Sequence, residues 1–298
     1  MTLARLQKIS TVGLLLGAAT WAWFWMRAGR PGVALAGALV VVFGYALFLG
    51  VEFALLARVH RDDPAPRPNA AQLLRAWWGE VLTAPQVFCW HQPFRSRAEP
   101  DHLPAASAGR RGLVMVHGFV CNRGLWNPWM KRLRDQGVPF VAVDLEPVFG
   151  SLDAYAAIVD AAVARVEAAT GLAPVLVGHS MGGLALRSWL NTRGSDARAH
   201  RLVTVGTPHR GTWLARFGHT ANGRQMREGN PWLAELARFE SADRLARYTC
   251  FYGHCDNIVF PASNATLPGA DNRHIAATAH VRMLFSEEVF GEVRRLLD

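Results

Sequence analysis

The chain has 298 residues, enough for one large domain or two ordinary ones, and 51% of them are hydrophobic against 18% charged, more apolar than a fully water-exposed enzyme needs. A formal net charge of +9, nearly all of it arginine, would suit nucleic acid or an anionic lipid surface. The arginines are scattered and no basic run with interleaved aromatics occurs, which sets nucleic acid aside as a partner and leaves the membrane surface.

From Ile9 to Met26 and again from Pro31 to Val51 no charged residue occurs, and each stretch is close to the ~20 residues a bilayer-spanning helix needs. They predict a two-helix transmembrane hairpin over residues 1–61. Trp21, Trp23, Phe24 and Trp25 gather at the end of the first stretch, where amphipathic rings favour a membrane interface. A cleaved signal peptide would close on small residues, whereas this stretch runs into Met26 and Arg27 and then a second apolar run. Arg5 and Lys8 before the first span, with Arg58, Arg61 and Arg67 after the second, outweigh Arg27 and Arg30 in the turn. By the rule that basic residues stay inside, both ends of the hairpin face the cytoplasm across an inner membrane, and the domain that follows lies on that side. Glu52, near the end of the second span, is expected at interface depth.

Asp62 to Pro68, with prolines at alternate positions, is a stiff polar linker that opens a segment over residues 62–112. Within it, Leu73, Leu74, Trp77, Trp78 and Val81 recur at helical spacing between Arg75 and Glu80, a pattern that suits a helix lying on the bilayer or packed on the next domain. Val87 to Phe94 is expected as a short leading strand and Ser96 to Gly109 as a loop. From Leu113 the rhythm becomes alternating: strands at Leu113–Val116, Phe140–Val143, Val175–Val177 and Leu202–Val205, helices at Trp126–Asp135, Leu152–Ala169 and around Leu184–Leu190. Strands alternating with helices predict a mostly parallel sheet covered on both faces. A further strand at Tyr248–Tyr252, a last short one at Ile275–Ala279 and a terminal helix at Phe285–Leu297 complete the pattern. Cys89, Cys121, Cys250 and Cys255 form neither a metal-ligand spacing nor a disulfide framework.

The run from Val175 to Leu184 has the form of a nucleophile elbow, in which a serine stands on a sharp strand-to-helix turn. Gly178 and Gly182 flank Ser180 at the two positions where strand and helix must pass closely. An activated serine also needs a base, an acid to orient that base, and donors for an oxyanion, with acid and base following it in the chain. Asp256, just past the strand Tyr248–Tyr252, is placed at the sheet edge from which the elbow emerges; Asp243 and Asp271 fit a helix and a turn. His280 at the end of the last predicted strand suits the base, with His274 at the other end of that strand left open and His254 more distant. The oxyanion donors are expected to be the backbone N–H groups of Met181 and Phe119, with Gly118 permitting the loop conformation and His117 a structural hydrogen-bonder.

Together His117-Gly-Phe119, Gly178-His-Ser-Met-Gly-Gly183, Gly206-Thr-Pro-His-Arg-Gly-Thr212, Asp256-Asn-Ile-Val259 and Ala279-His-Val281 resemble bacterial lipases and esterases of the α/β-hydrolase superfamily. The resemblance runs from Leu113 to the C-terminus. It implies an α/β-hydrolase fold over residues 113–298, a Ser180–Asp256–His280 triad, and a lid-like insertion at about 211–247. Trp213, Leu214, Phe217, Met226, Trp232 and Leu233 in that insertion alternate with arginines, which suits a cover over an apolar acyl substrate. The activity implied is cleavage of a lipid or small apolar ester through an acyl-enzyme, with no metal and no organic cofactor. The same triad would also serve an acyltransferase, a thioesterase or an amidase, and a scaffold carrying a relic hydrolase domain is the non-enzymatic alternative. The hairpin departs from secreted lipases and puts a bulk triglyceride substrate in question.

Overall fold

The computed structural model describes residues 2–59, 63–192 and 196–298. The expected linker boundary at residues 61 and 62 lies outside the described residues. Two long helices come first, α1 (Leu3–Arg27) and α2 (Pro31–Val59), joined by the turn Ala28–Arg30. They pack antiparallel, and Gly37 lets the chains approach there: a Cβ on it would fall 1.9 Å from the Trp21 ring, whose Nε1 donates to the Val33 carbonyl at 3.0 Å. Both helices are long and apolar enough to cross a membrane, and only 6% and 11% of their most apolar windows are buried. Core helices of a water-soluble domain would be mostly covered.

Helix α3 (Ala70–Pro85) follows, started by a capping box in which Asn69 and Gln72 satisfy each other's backbone amides. It runs on through one π-helical turn, Gln86–His91, into the short α4 (Gln92–Arg95). The segment expected as a leading strand, Val87–Phe94, is therefore helical. Its apolar residues follow a helical period, with Val87 buried and Trp90 and Phe94 turned outward. Helix α3 packs on the domain along one face. Ala76, Glu80 and Val81 face the domain, while Leu74, Trp78 and Leu82, one turn apart, are exposed.

The remainder is a six-stranded, fully parallel sheet: β1 (Leu113–Val116), β2 (Phe140–Ala142), β3 (Val175–His179), β4 (Arg201–Val205), β5 (Tyr248–Tyr252) and β6 (Asp271–His274), in the order β2-β1-β3-β4-β5-β6. The intervening helices are α5 (Asn127–Asp135), α6 (Ala156–Thr170), α7 (Met181–Thr192), α8 (Ala221–Gln225), α9 (Pro231–Arg238), α10 (Ala242–Leu245), α11 (His280–Leu284) and α12 (Glu287–Leu297). Strand residues alternate between two cores. Val114, Val116 and Leu176 join one with α6 and α7, whereas Leu113, Met115, Val175 and Val177 join the other with α5 and α12. The sheet is thus covered on both faces, as the alternating pattern requires.

Because β1 connects to β2 on one side and the chain then crosses to β3 on the other, the loops after β1 and β3 diverge from adjacent strand ends. This is the switch point at which parallel sheets place their sites. The last predicted strand is corrected: β6 is Asp271–His274, paired with β5, and Ile275–Ala279 is a loop leading into α11. Ala277 there takes a positive φ of 49° and breaks any extended run.

Candidate active site

Ser180 sits between β3 and α7 with φ of 54°, the left-handed region an L-residue occupies only under constraint. Its amide donates to the Val205 carbonyl at 2.8 Å, and its own carbonyl accepts from Thr207 Oγ1 at 2.8 Å, so β4 and the loop after it hold the strained turn from both sides. Gly178 and Gly182 are needed for close passage. A Cβ on Gly178 would meet Gly183 N at 2.5 Å, and one on Gly182 would meet the Val116 carbonyl at 2.3 Å. Helix α7 begins at Met181, directly after the serine, so the first free N–H groups and the positive end of its dipole sit beside the hydroxyl.

Asp256 lies in the turn after β5 and is 1% exposed. Its Oδ1 accepts the amides of Ile258 at 2.9 Å and Val259 at 2.8 Å, which fixes the carboxylate plane. His280 Nδ1 stands 2.9 Å from both carboxylate oxygens and donates to them. That bond leaves Nε2 as the nitrogen available to a hydroxyl. Burial by itself lowers the His280 pKa, but Asp256 and then Glu80 outweigh it and hold the imidazole above its ordinary value. The ring of His179, next to Ser180, packs 4.7 Å from that of His280 and donates from Nε2 to the His280 carbonyl at 3.4 Å. Elbow and histidine loop are thereby in contact. His179 itself is kept neutral, its pKa driven well down by burial and by His280.

Three other histidines that the motifs brought forward have partners elsewhere. His254 and His274 hydrogen-bond each other at 2.6 Å with stacked rings, and neither is bonded to Asp256. His117 accepts the Leu145 amide on Nε2 at 2.9 Å and donates from Nδ1 to the Gly118 carbonyl at 2.9 Å, a structural role in the loop after β1. That loop stands against the elbow: a Cβ on Gly118 would meet Ser180 Cβ at 2.8 Å. Phe119 follows it, its ring edge-to-face with Phe149 at 5.8 Å.

Asp243 begins α10 and Asp271 pairs with Arg273, so neither competes for the histidine. The segment between β4 and β5 forms short helices. Thr212 is tied to Met226 and to the Ile258 carbonyl, and Arg187 of α7 anchors the far end through a buried pair with Glu240 at 2.7 Å. A cavity of about 450 Å³ under α9, lined by Leu233, Ala237, Leu245 and Leu267, touches none of Ser180, Asp256 or His280. All four cysteines are free thiols. Among the described residues no group of three His, Cys, Asp or Glu side chains could hold a metal ion.

Two polar residues at this site were not singled out by sequence reasoning, Glu80 and Thr207, and a third, Glu52, had been expected at a membrane interface. Glu52 is buried and accepts from Asn257 Nδ2 at 2.6 Å, and Glu80 accepts the Val281 and Arg282 amides at 3.0 Å each.

Residues 113–291 match the model of an alpha/beta hydrolase family. Among solved structures, the mature form of a lipase from Bacillus licheniformis aligns with a TM-score of 0.57 at 20% identity, over 65% of this chain and 95% of the lipase. Lipase B of Aspergillus fumigatus aligns with a TM-score of 0.53 at 19% identity, over 64% of this chain and 54% of that one. At such identity the likeness is one of fold. Among curated protein sequences none matches this chain.

Proposed function

Because the chain belongs to the alpha/beta hydrolase family, we propose that it is a membrane-anchored serine hydrolase cleaving carboxylic esters of apolar acyl chains through Ser180, His280 and Asp256. The observation that carries this reading is the Asp256–His280 bond, with the His280 ring 4.7 Å from that of His179, the residue before Ser180 in its left-handed conformation. His280 Nε2 takes the Ser180 proton as Oγ attacks the ester carbonyl. Asp256 holds the tautomer with Nδ1 protonated and stabilises the imidazolium that results. The N–H groups of Met181 and Phe119 receive the oxyanion. His280 returns the proton to the leaving alcohol, and the same base then activates water to release the acid.

The substrate class rests on apolar side chains of the loop after β1 and of the 211–247 segment. Phe119 and Phe149 pack edge-to-face at 5.8 Å, and the 211–247 segment carries Trp213, Leu214, Phe217 and Trp232, with Phe217 63% exposed. It is in keeping with this class that the two structures named above are those of lipases.

The hairpin serves as the inner-membrane anchor, with the hydrolase domain on the cytoplasmic side. Its turn lies at one end, whereas Gln7 of α1 and Glu52 of α2 both reach the hydrolase domain at the other. The domain therefore shares a side with both hairpin termini and with Arg5, Lys8 and Arg58.

The test is turnover of p-nitrophenyl esters of increasing acyl length by the full chain in detergent. Rates rising from acetate toward longer chains, and abolished in a folded Ser180→Ala variant, are expected. Full activity of that variant removes the mechanism, and a rate that falls with chain length removes the apolar substrate.

A further inference from the structure

The helix that begins at His280 has no capping side chain of its own. Its N-cap residue is Ala279, which offers no oxygen to the free amides of the first turn. Those amides are satisfied from far along the chain. The His280 N–H donates to Asn257 Oδ1 at 3.2 Å, and the Val281 and Arg282 N–H groups donate to Glu80 Oε1 and Oε2 at 3.0 Å each. Asn257 is fixed in turn by Glu52 Oε2, which accepts from its Nδ2 at 2.6 Å. The first turn of α11 is therefore held directly by Glu80 and, through Asn257, by Glu52, both from the N-terminal module made of α1, α2 and α3.

The packing agrees with the hydrogen bonds. Phe53 and Leu56 of α2 and Ala76 of α3 form one buried cluster with Cys255, which precedes Asp256, with Phe260, and with Ala279, which precedes His280. At a rise of about 1.5 Å per residue, the 29 residues of α2 run ~43 Å, longer than the ~30 Å hydrocarbon core, so its last turns extend beyond the bilayer into the hydrolase domain. The first helix reaches the opposite side of the site. Gln7 Nε2 donates to Gln92 Oε1 at 2.8 Å and to the carbonyl of Val120, in the loop after β1, at 3.3 Å.

We infer that the N-terminal module is a working part of the active site rather than an anchor alone, with Glu80 and Glu52 as positioning residues that fix His280 for its exchange with Ser180. The inference rests on the triad reading above. Neither carboxylate reaches a substrate: Glu80 orients the histidine through the backbone of α11, and Glu52 does so through Asn257. Four titratable groups face His280, namely Asp256 from the loop after β5, Glu80 from α3, Glu52 from α2 and His179 from the end of β3. His179 stays neutral, so the field at the imidazole is set by the carboxylates. Burial raises the pKa of Glu80 itself; in its ionised form it also favours the imidazolium that forms as Ser180 attacks and lifts the basicity of the histidine.

The variants Glu80→Ala, Glu80→Gln, Glu52→Leu and Glu52→Gln, made in the full chain in detergent, test this. Each is followed by ester kinetics against pH and by the rate of fluorophosphonate labelling. Glu80→Ala is expected to lower kcat about 100-fold with KM near wild type, since a misplaced base loses far more than a misplaced contact. Glu80→Gln keeps one acceptor and most of the shape, and it should move the acid limb of kcat/KM about half a unit lower, a change that a purely structural role would not produce. Glu52→Leu should lower kcat about tenfold, with Glu52→Gln recovering most of it because the amide oxygen still accepts from Asn257. Wild-type kcat and an unmoved acid limb in folded Glu80→Gln and Glu52→Leu would overturn the inference while leaving the triad intact. Failure of the wild-type chain to label at Ser180 overturns the triad itself, and the two failures are thus distinguishable. Should Glu80→Ala not fold, Glu80→Gln and the Glu52 pair carry the decision.

Discussion

Gly206 and His280 are in such close contact that a Cβ atom on Gly206 would stand 3.0 Å from the imidazole Nδ1. The same atom would lie 2.9 Å from Asp256 Oδ2, and Gly206 has a φ of 56°, where L side chains are strained. Gly206→Ala should therefore push the Asp256–His280 pair aside as well as strain the chain. The expected result is a loss of ~1–2 kcal/mol in stability with kcat reduced about 100-fold, read from a thermal melt and ester kinetics on one preparation. Wild-type kcat in a destabilised variant would mean the pair does not need this close approach.

Asp256→Asn leaves shape unchanged but alters what Nδ1 can do. An amide that turns its N–H toward the imidazole forces the proton to Nε2, the wrong nitrogen for accepting from Ser180. Because Oδ1 already receives the Ile258 and Val259 amides, the NH₂ group takes the place of Oδ2, 2.9 Å from His280 Nδ1. kcat is expected to fall by about 10³–10⁴ with KM and melting temperature little changed. A drop below tenfold in steady-state kinetics would show that another group orients the base.

The acid limb of kcat/KM belongs to the free-enzyme base. Since Asp256 and Glu80 hold His280 above the ordinary 6.5, activity should be full at alkaline pH and lost as pH falls through a midpoint above that value. His117, His179 and His209 are all depressed by burial, so none of them supplies the limb in that range. A midpoint below 6.5, measured on a non-ionising ester, contradicts the assignment of His280.

His117→Ala separates structure from catalysis at the oxyanion loop. It removes the acceptor for the Leu145 amide and the donor to the Gly118 carbonyl, both buried, for a cost of ~2–3 kcal/mol. kcat should drop because Phe119 is no longer held, yet the acid limb should stay where it is. A displaced limb would give His117 a part in proton transfer.

Arg187 and Glu240 form a buried pair, with side chains 1% and 3% exposed, between the helix after the elbow and the end of the 211–247 segment. Glu240→Gln leaves the guanidinium buried without its counter-charge and should cost ~3–5 kcal/mol. Denaturant unfolding of the full chain checks this; a loss under 1 kcal/mol would mean that water reaches the arginine.

What could be read without coordinates was whatever neighbouring residues decide. The elbow is local: Gly178, Ser180 and Gly182 are two apart, and their roles follow from the turn itself. Leu113–Val116 and Tyr248–Tyr252 were legible because short apolar runs between turns match buried strands. The same rule misled at Val87–Phe94, where an apolar run is a helix with two exposed aromatics, and at Ile275–Ala279, where small residues form a loop. His280 was expected at the end of a strand over Ile275–Ala279; the residue is bonded to Asp256, but it follows a loop, and its contacts with the first helices were not legible. Glu80 lies 201 residues from Val281, and nothing in the spacing of α3 distinguishes it from a solvated glutamate. A signal did exist in Ala279, a helix start without a capping oxygen, which requires that some distant side chain supply one.

In the proposed reaction Ser180 carries the acyl group. Intact-mass and peptide mapping of the full chain after reaction with a p-nitrophenyl alkylphosphonate tests it most directly. One adduct on the peptide containing Ser180, absent from Ser180→Ala and formed faster as pH rises through the His280 limb, is the result expected. An adduct elsewhere, or none on a folded protein, contradicts it.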